Sequence, residues 1–128
     1  MSDPLRRAVT NETMLRQQEI INREFLKVDP QMPAQVIATF LYIAAHNPCH
    51  KGAIEEDLEM TTASVSRNTD WLGKRHRIGK PGLNLIIKYY DTYPNARRVL
   101  LKLSPAGEEL VVRIQNHLTS TNNGDNQT

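Results

Sequence analysis

Apolar positions recur at helical spacing along most of this chain and alternate at strand spacing near its end. Over residues 4–28, Met14, Ile21, Phe25 and Val28, with Gln18 between, mark one side of a helix, and Leu15 and Leu26 widen that stripe. Asp29-Pro30 breaks it. A second helix is predicted from Pro33 to about His46, with Val36, Ile37, Phe40, Leu41 and Ala44 as its apolar face and Asn47-Pro48 as its stop. In GAIEEDLEM, Ile54 and Leu58 form the inner side of a short third helix. In MTTASVSRNTDWLGKRHR, Val65, Thr69 and Leu72 recur at i, i+4 and i+7, and Thr61 or Thr62 can cap the helix start. LNLIIKYYD (83–91) and ARRVLLKLS (96–104) read as two strands around the turn signal Thr92-Tyr93-Pro94-Asn95. Leu85, Ile87 and Tyr89 are expected to share one face, and Val99, Leu101 and Leu103 another. Ser104-Pro105 opens a last helix with a buried stripe of Leu110, Val111, Ile114 and Leu118. The domain is expected to span residues 1–118, with 119–128 a disordered polar tail, since no apolar residue follows Leu118.

Two short helices joined near Glu59-Met60 make a helix-turn-helix, whose second helix can lie in a DNA major groove. The outer face of that helix, residues 61–76, carries small or hydrogen-bonding residues and one arginine. Thr62, Ala63, Ser64, Ser66 and Arg67 are the candidates to meet base edges, and Lys74 and Arg75 follow them. Small side chains permit close approach, and an arginine can fork onto guanine. A hairpin directly after such a pair is a wing, here residues 83–103. Lys88, Arg97, Arg98 and Lys102 supply positive charge along it, and Arg97 and Arg98 are the candidates to reach phosphates or a minor groove. The fold class is therefore α+β, mainly α: a winged helix-turn-helix with N- and C-terminal helices flanking a basic β-hairpin.

Charge sharpens this picture. The formal net charge is only +2, but residues 67–102 hold nine Lys/Arg against two Asp/Glu. Such a block, beginning on the recognition helix, points to a polyanionic partner. The stripes on the first and last helices, Met14, Ile21, Phe25, Val28, Leu110, Ile114 and Leu118, have little else to cover them and are expected to pair two copies of the chain into a homodimer.

Other chemistry is weakly represented. His46, Cys49 and His50 cluster as His-x-x-Cys-His, but no second cluster offers a fourth ligand. The blander reading is a helix end whose histidines complement the dipole, and no metal or cofactor is expected. There is no Ser/His/Asp spacing, no glycine-rich phosphate loop and no carboxylate pair in an apolar context, so no enzyme is expected. No run of 18 apolar residues is present and the N-terminus lacks a signal-peptide core, so no membrane partner is expected. With a single cysteine, the expected location is cytoplasmic.

Over residues 32–115 the chain resembles the MarR family of winged-helix transcription regulators. The resemblance rests on MPAQVIATFLYIA, on DLEMTTASVSRNTDWL, and above all on NARRVLLKLSPAGEEL, which is similar to the family's basic pair, alternating aliphatics and Leu-Thr-x-x-Gly. Asn95 stands where the family usually has aspartate, Glu55 and Glu59 where small residues are usual, and the link 73–82 is several residues longer. The resemblance implies a sequence-specific regulator of double-stranded DNA, a repressor acting as a homodimer, with a small-molecule effector as a further partner. The alternative is a winged-helix protein-interaction or assembly module that uses the same surface without duplex specificity.

Overall fold

A computed structural model of the chain describes residues 12–75, 79–91 and 98–127, with side chains through Thr119. Its elements are α1 (Glu12–Val28), α2 (Ala34–Ala45), β1 (Cys49–His50), α3 (Lys51–Asp57), α4 (Thr62–Leu72), β2 (Ile86–Asp91), β3 (Arg98–Leu103) and α5 (Pro105–Gln127). The strands form one antiparallel sheet in the order β1-β3-β2. Helices and sheet share a core built on Phe25, Phe40, Ile43, Ile54, Val65, Leu72, Ile86, Leu101 and Leu110, all 0–1% exposed. This is the mainly helical winged helix expected from the sequence.

The i, i+4, i+7 stripe of α4 is buried as expected. In α2 the buried set is Val36, Thr39, Phe40 and Ile43, whereas Leu41 is 36% exposed. Thr39 is accommodated because its hydroxyl donates to the Gln35 carbonyl (2.7 Å), which removes its need for water. The cis peptide Asn47-Pro48 follows α2. Asn47 Oδ1 then accepts from the Leu103 amide (3.1 Å), joining the end of α2 to the sheet.

Four expectations need correction, and one element was not anticipated. The expected face Leu85–Ile87–Tyr89 is replaced by Ile86, Lys88 and Tyr90, which lie opposite Leu103, Leu101 and Val99. The cause is a break in alternation: Leu85 and Ile86 are both buried, because Leu85 is still tied to the end of α4 when the strand begins. Ile87 and Tyr89 face the other way, where the Lys102 ammonium sits 5.2 Å from the Tyr89 ring centre. The helix predicted for 61–76 stops at Leu72, with Gly73 as C-cap, so Lys74 and Arg75 lie beyond it. Strand β1 was not anticipated; two residues are too short for a periodicity to register. The last helix continues through the polar segment to Gln127 instead of ending near Leu118. Finally, Phe25, Leu110 and Ile114 are covered within the chain itself, where little else was expected to cover them. Phe25 meets Phe40 edge-on (5.6 Å between centroids, 78°), and all three belong to the chain's own core. Ile21, Val28 and Leu118 pack partly against the same core, while Met14 is 63% exposed.

Glycine and serine fix how α5 meets the sheet. Ser104 Oγ accepts from the Gly107 amide (3.0 Å) and donates to the Asn84 carbonyl (2.7 Å). A Cβ on Gly107 would stand 2.1 Å from the Leu85 carbonyl oxygen, so only glycine permits this approach.

Helices α1 and α5 are tied by a buried carboxylate. Glu24, 3% exposed, accepts from Lys27 Nζ (3.0 Å) and Arg113 Nε (3.3 Å) and pairs with His117 Nε2 (2.8 Å). The Lys27 and His117 hydrogen bonds lower its pKa to about 2 against the opposing cost of burial. A depressed folded-state pKa stabilises above the unfolded value and loses that contribution as pH falls through the folded one. Acid denaturation of the wild type should therefore include a component between pH 4.5 and about 2. Glu24→Gln should be less stable at neutral pH and lack that component, as checked by denaturant midpoints measured at several pH values.

Candidate nucleic-acid interface

The helix-turn-helix turn is held by backbone geometry. Glu59 adopts φ 51°, the left-handed conformation. The Met60 amide donates to the Glu55 carbonyl (3.0 Å) and the Glu59 amide to that of Glu56 (3.4 Å). This is a Schellman closure of α3 with glutamate where glycine is usual. Thr61 then caps α4, its Oγ1 accepting from the Ser64 amide (3.1 Å). Thr62 donates to Glu55 Oε1 (2.8 Å), which bridges the two helices.

The inner face of α4 is committed to the fold. Val65, Thr69 and Leu72 are buried, and Asn68 Nδ2 reaches Thr39 Oγ1 (3.3 Å). Trp71 Nε1 donates to Asp29 Oδ2 (2.9 Å), so this half-buried ring braces α4 against the α1–α2 turn instead of facing outward.

What remains is the outer face. Thr62, Ala63 and Arg67 are exposed, and Ser64 and Ser66 are half-buried. Arg67 Nη2 reaches back to Ser64 Oγ (3.3 Å), while Asp70, the alternative partner three residues on, is engaged by Lys88. Lys74 and Arg75, both exposed, continue from the end of the helix. Arg98 is exposed at the start of β3; Arg97 lies outside the described residues. Lys88 of β2, one of the wing cations offered by the sequence, joins this surface, as does Lys51, whose ammonium donates to Ser66 Oγ and which sequence reasoning passed over. The signal of Lys51 was only a lysine at the start of a short helix, which spacing alone cannot aim.

The link after α4 returns to it. The amides of Gly82, Leu83, Asn84 and Leu85 donate to the carbonyls of Lys74, Trp71, Gly73 and Leu72 at 3.1, 2.9, 2.9 and 2.7 Å. A Cβ on Gly82 would come within 2.1 Å of the Gly73 oxygen. The link therefore sets strand β2 beside α4, with a groove between them whose charged lining residues are Asp70, Lys74, Arg75 and Lys88.

The His-x-x-Cys-His stretch is distributed over the scaffold. His46 lies against the Tyr42 ring (4.2 Å between centroids), and Cys49 is buried in β1 opposite Leu101. Burial pushes the Cys49 thiol up to about 11, which leaves it protonated at neutral pH.

No protein-family model and no curated protein matches the chain. Solved structures do match. A MarR-like transcriptional regulator from Thermotoga maritima is similar at 19% identity and a TM-score of 0.64, covering 93% of this chain and 83% of its own. The chain has the fold of MarR-family regulators. A mutant of S. aureus MepR, bound to an oligodeoxyribonucleotide, is similar at 18% identity and a TM-score of 0.69, covering 100% of this chain and 83% of its own. BpsR of Bordetella bronchiseptica, whose DNA binding is regulated by 6-hydroxynicotinic acid, is similar at 17% identity and a TM-score of 0.53, covering 87% and 79%.

Within this MarR fold, Glu55 and Glu59 have roles of their own: one carboxylate accepts from Thr62, and the other residue closes the turn. Left-handed backbone costs a non-glycine residue about 1–2 kcal/mol, partly offset by the extra unfolded-state freedom of glycine. Glu59→Gly should therefore leave stability unchanged or raise it by up to about 1 kcal/mol, whereas Glu59→Val should lower it. Urea midpoints at constant m-value check both.

Proposed function

We infer that this chain is a DNA-binding transcription regulator that reads sequence with the outer face of α4 and grips the backbone with its flanking cations. The observation that carries the reading is the division of α4: its inner face is wholly occupied by the core, and its outer face presents Thr62, Ala63, Ser66 and Arg67 between basic flanks. Small and hydrogen-bonding residues on a helix with free approach are what major-groove readout requires. The likeness to MepR, solved with an oligodeoxyribonucleotide, supports the same use of the fold.

The reading extends to a repressor acting as a homodimer. With Phe25, Leu110 and Ile114 buried in each chain, the pairing surface would rest on the exposed apolar residues of α1: Met14, Leu15 and Leu26. A two-fold dimer places two recognition helices about one DNA turn apart on a palindromic operator. A small-molecule effector is a further proposed partner, supported by the likeness to BpsR.

Arg67 and Arg98 separate the two roles. An operator selected from a random duplex pool should lose ~1–3 kcal/mol of binding on Arg67→Ala, and random duplex much less. Arg98→Ala should weaken both by similar factors and flatten the salt dependence by about one phosphate's worth. Fluorescence anisotropy at several salt concentrations measures both. Relaxed specificity in Arg98→Ala but not in Arg67→Ala would reverse the assignment of helix and wing. No salt-sensitive duplex binding by the wild type would leave the interaction-module reading.

A further inference from the structure

The groove between α4 and β2 holds three cations and one carboxylate. Lys74 and Arg75 follow the recognition helix, and Lys88 comes from β2. Lys88 is the residue whose place is least expected. Its register opposite Leu101 puts it on the core-facing side of the sheet, where an aliphatic residue would ordinarily sit. Its stem passes the end of α4, with Cε 4.0 Å from where a Gly73 Cβ would stand. Its ammonium then emerges beside the outer face of the helix and is met there by Asp70.

The Asp70–Lys88 pair joins helix and wing, yet it is poorly suited to be a structural brace. Both side chains are partly solvated, 27% and 36% exposed, and an ion pair so placed contributes little to stability. The link to the sheet is already secured by four backbone hydrogen bonds at residues 82–85. A carboxylate on an ammonium, in a groove whose other charged lining residues are cations, has the charge arrangement that a backbone phosphate would have there.

We propose that this groove is a phosphodiester site of the DNA interface, and that Asp70 is its internal stand-in, holding Lys88 in position and yielding it to a DNA phosphate on docking. The proposal rests on the DNA-binding reading above and adds to it a residue that opposes binding. On non-cognate approach Asp70 both occupies Lys88 and repels the phosphate. On a well-seated duplex the phosphate takes its place, and one more counterion is released.

The test is a double-mutant cycle read by anisotropy with a mixed-sequence duplex at several salt concentrations. Asp70→Asn should bind about two- to fivefold tighter near 0.1 M salt, the range spanned by a solvated ion pair. Its plot of log K against log salt should steepen by about 0.9, one phosphate on B-DNA. In the Lys88→Ala background the same substitution should give a clearly smaller gain and no steepening of the plot. An equal gain without Lys88 would be a general charge effect and overturns the proposal. Unchanged or weaker binding by Asp70→Asn, with the wild type binding duplex normally, also overturns it and leaves the DNA reading intact. Absence of duplex binding by the wild type itself removes both. Thermal melts accompany each variant, and Asp70→Ser replaces Asp70→Asn if the latter melts early.

Discussion

The carbonyls at the C-terminal end of α4 have no partners within the helix, as at any helix end. Here they are satisfied by the chain itself, when residues 82–85 come back across Trp71, Leu72, Gly73 and Lys74. That return does two things at once. It terminates α4 without exposing its polar groups, and it delivers the chain into β2 at a fixed distance from the helix. Gly82 makes the approach possible, since any side chain there would collide with the Gly73 carbonyl. The relation of helix to wing thus follows from backbone hydrogen bonds and one absent Cβ.

Around that junction, buried polar groups determine how the helices dock. Asn68 on Thr39 sets α4 against α2, Trp71 on Asp29 sets it against the α1–α2 turn, and Ser104 ties the start of α5 to Asn84. Apolar burial supplies the driving force, but it is non-directional and tolerates sliding. A buried amide left without its partner costs ~1–3 kcal/mol, so these contacts select one arrangement among several that would bury similar area. The consequence for function is geometric. The inward positions of α4 are used by the fold, and the outward ones carry the residues proposed to meet DNA.

Much of this was readable from residue order. The stripe Val65–Thr69–Leu72 identified α4 and its buried face, and Ser104-Pro105 located the start of the last helix. The failures share a cause. Alternation in LNLIIKYYD admits either face, and the choice was made by the hydrogen bond of Leu85 to Leu72, thirteen residues back. The apolar stripe of α1 looked like a surface for a second copy because nothing local showed that Phe40 and α5 would cover it. Lys88 was legible as a wing cation, but its pairing with Asp70 beside the end of α4 was not. That pairing depends on which residue lies across the sheet and on where the helix ends, and both are tertiary facts.

The central claim is that the outer face of α4, flanked by the cations of the link and wing, is what meets DNA. Amide chemical-shift mapping on isotope-labelled protein, titrated with a duplex it binds, addresses this directly. The account predicts the largest changes at Thr62–Arg67, at Lys74 and Arg75, and along β2 near Lys88, with the exposed side of α1 around Leu15 and Leu26 little affected. Changes centred on α1 and α5, with α4 silent at saturating duplex, would contradict it.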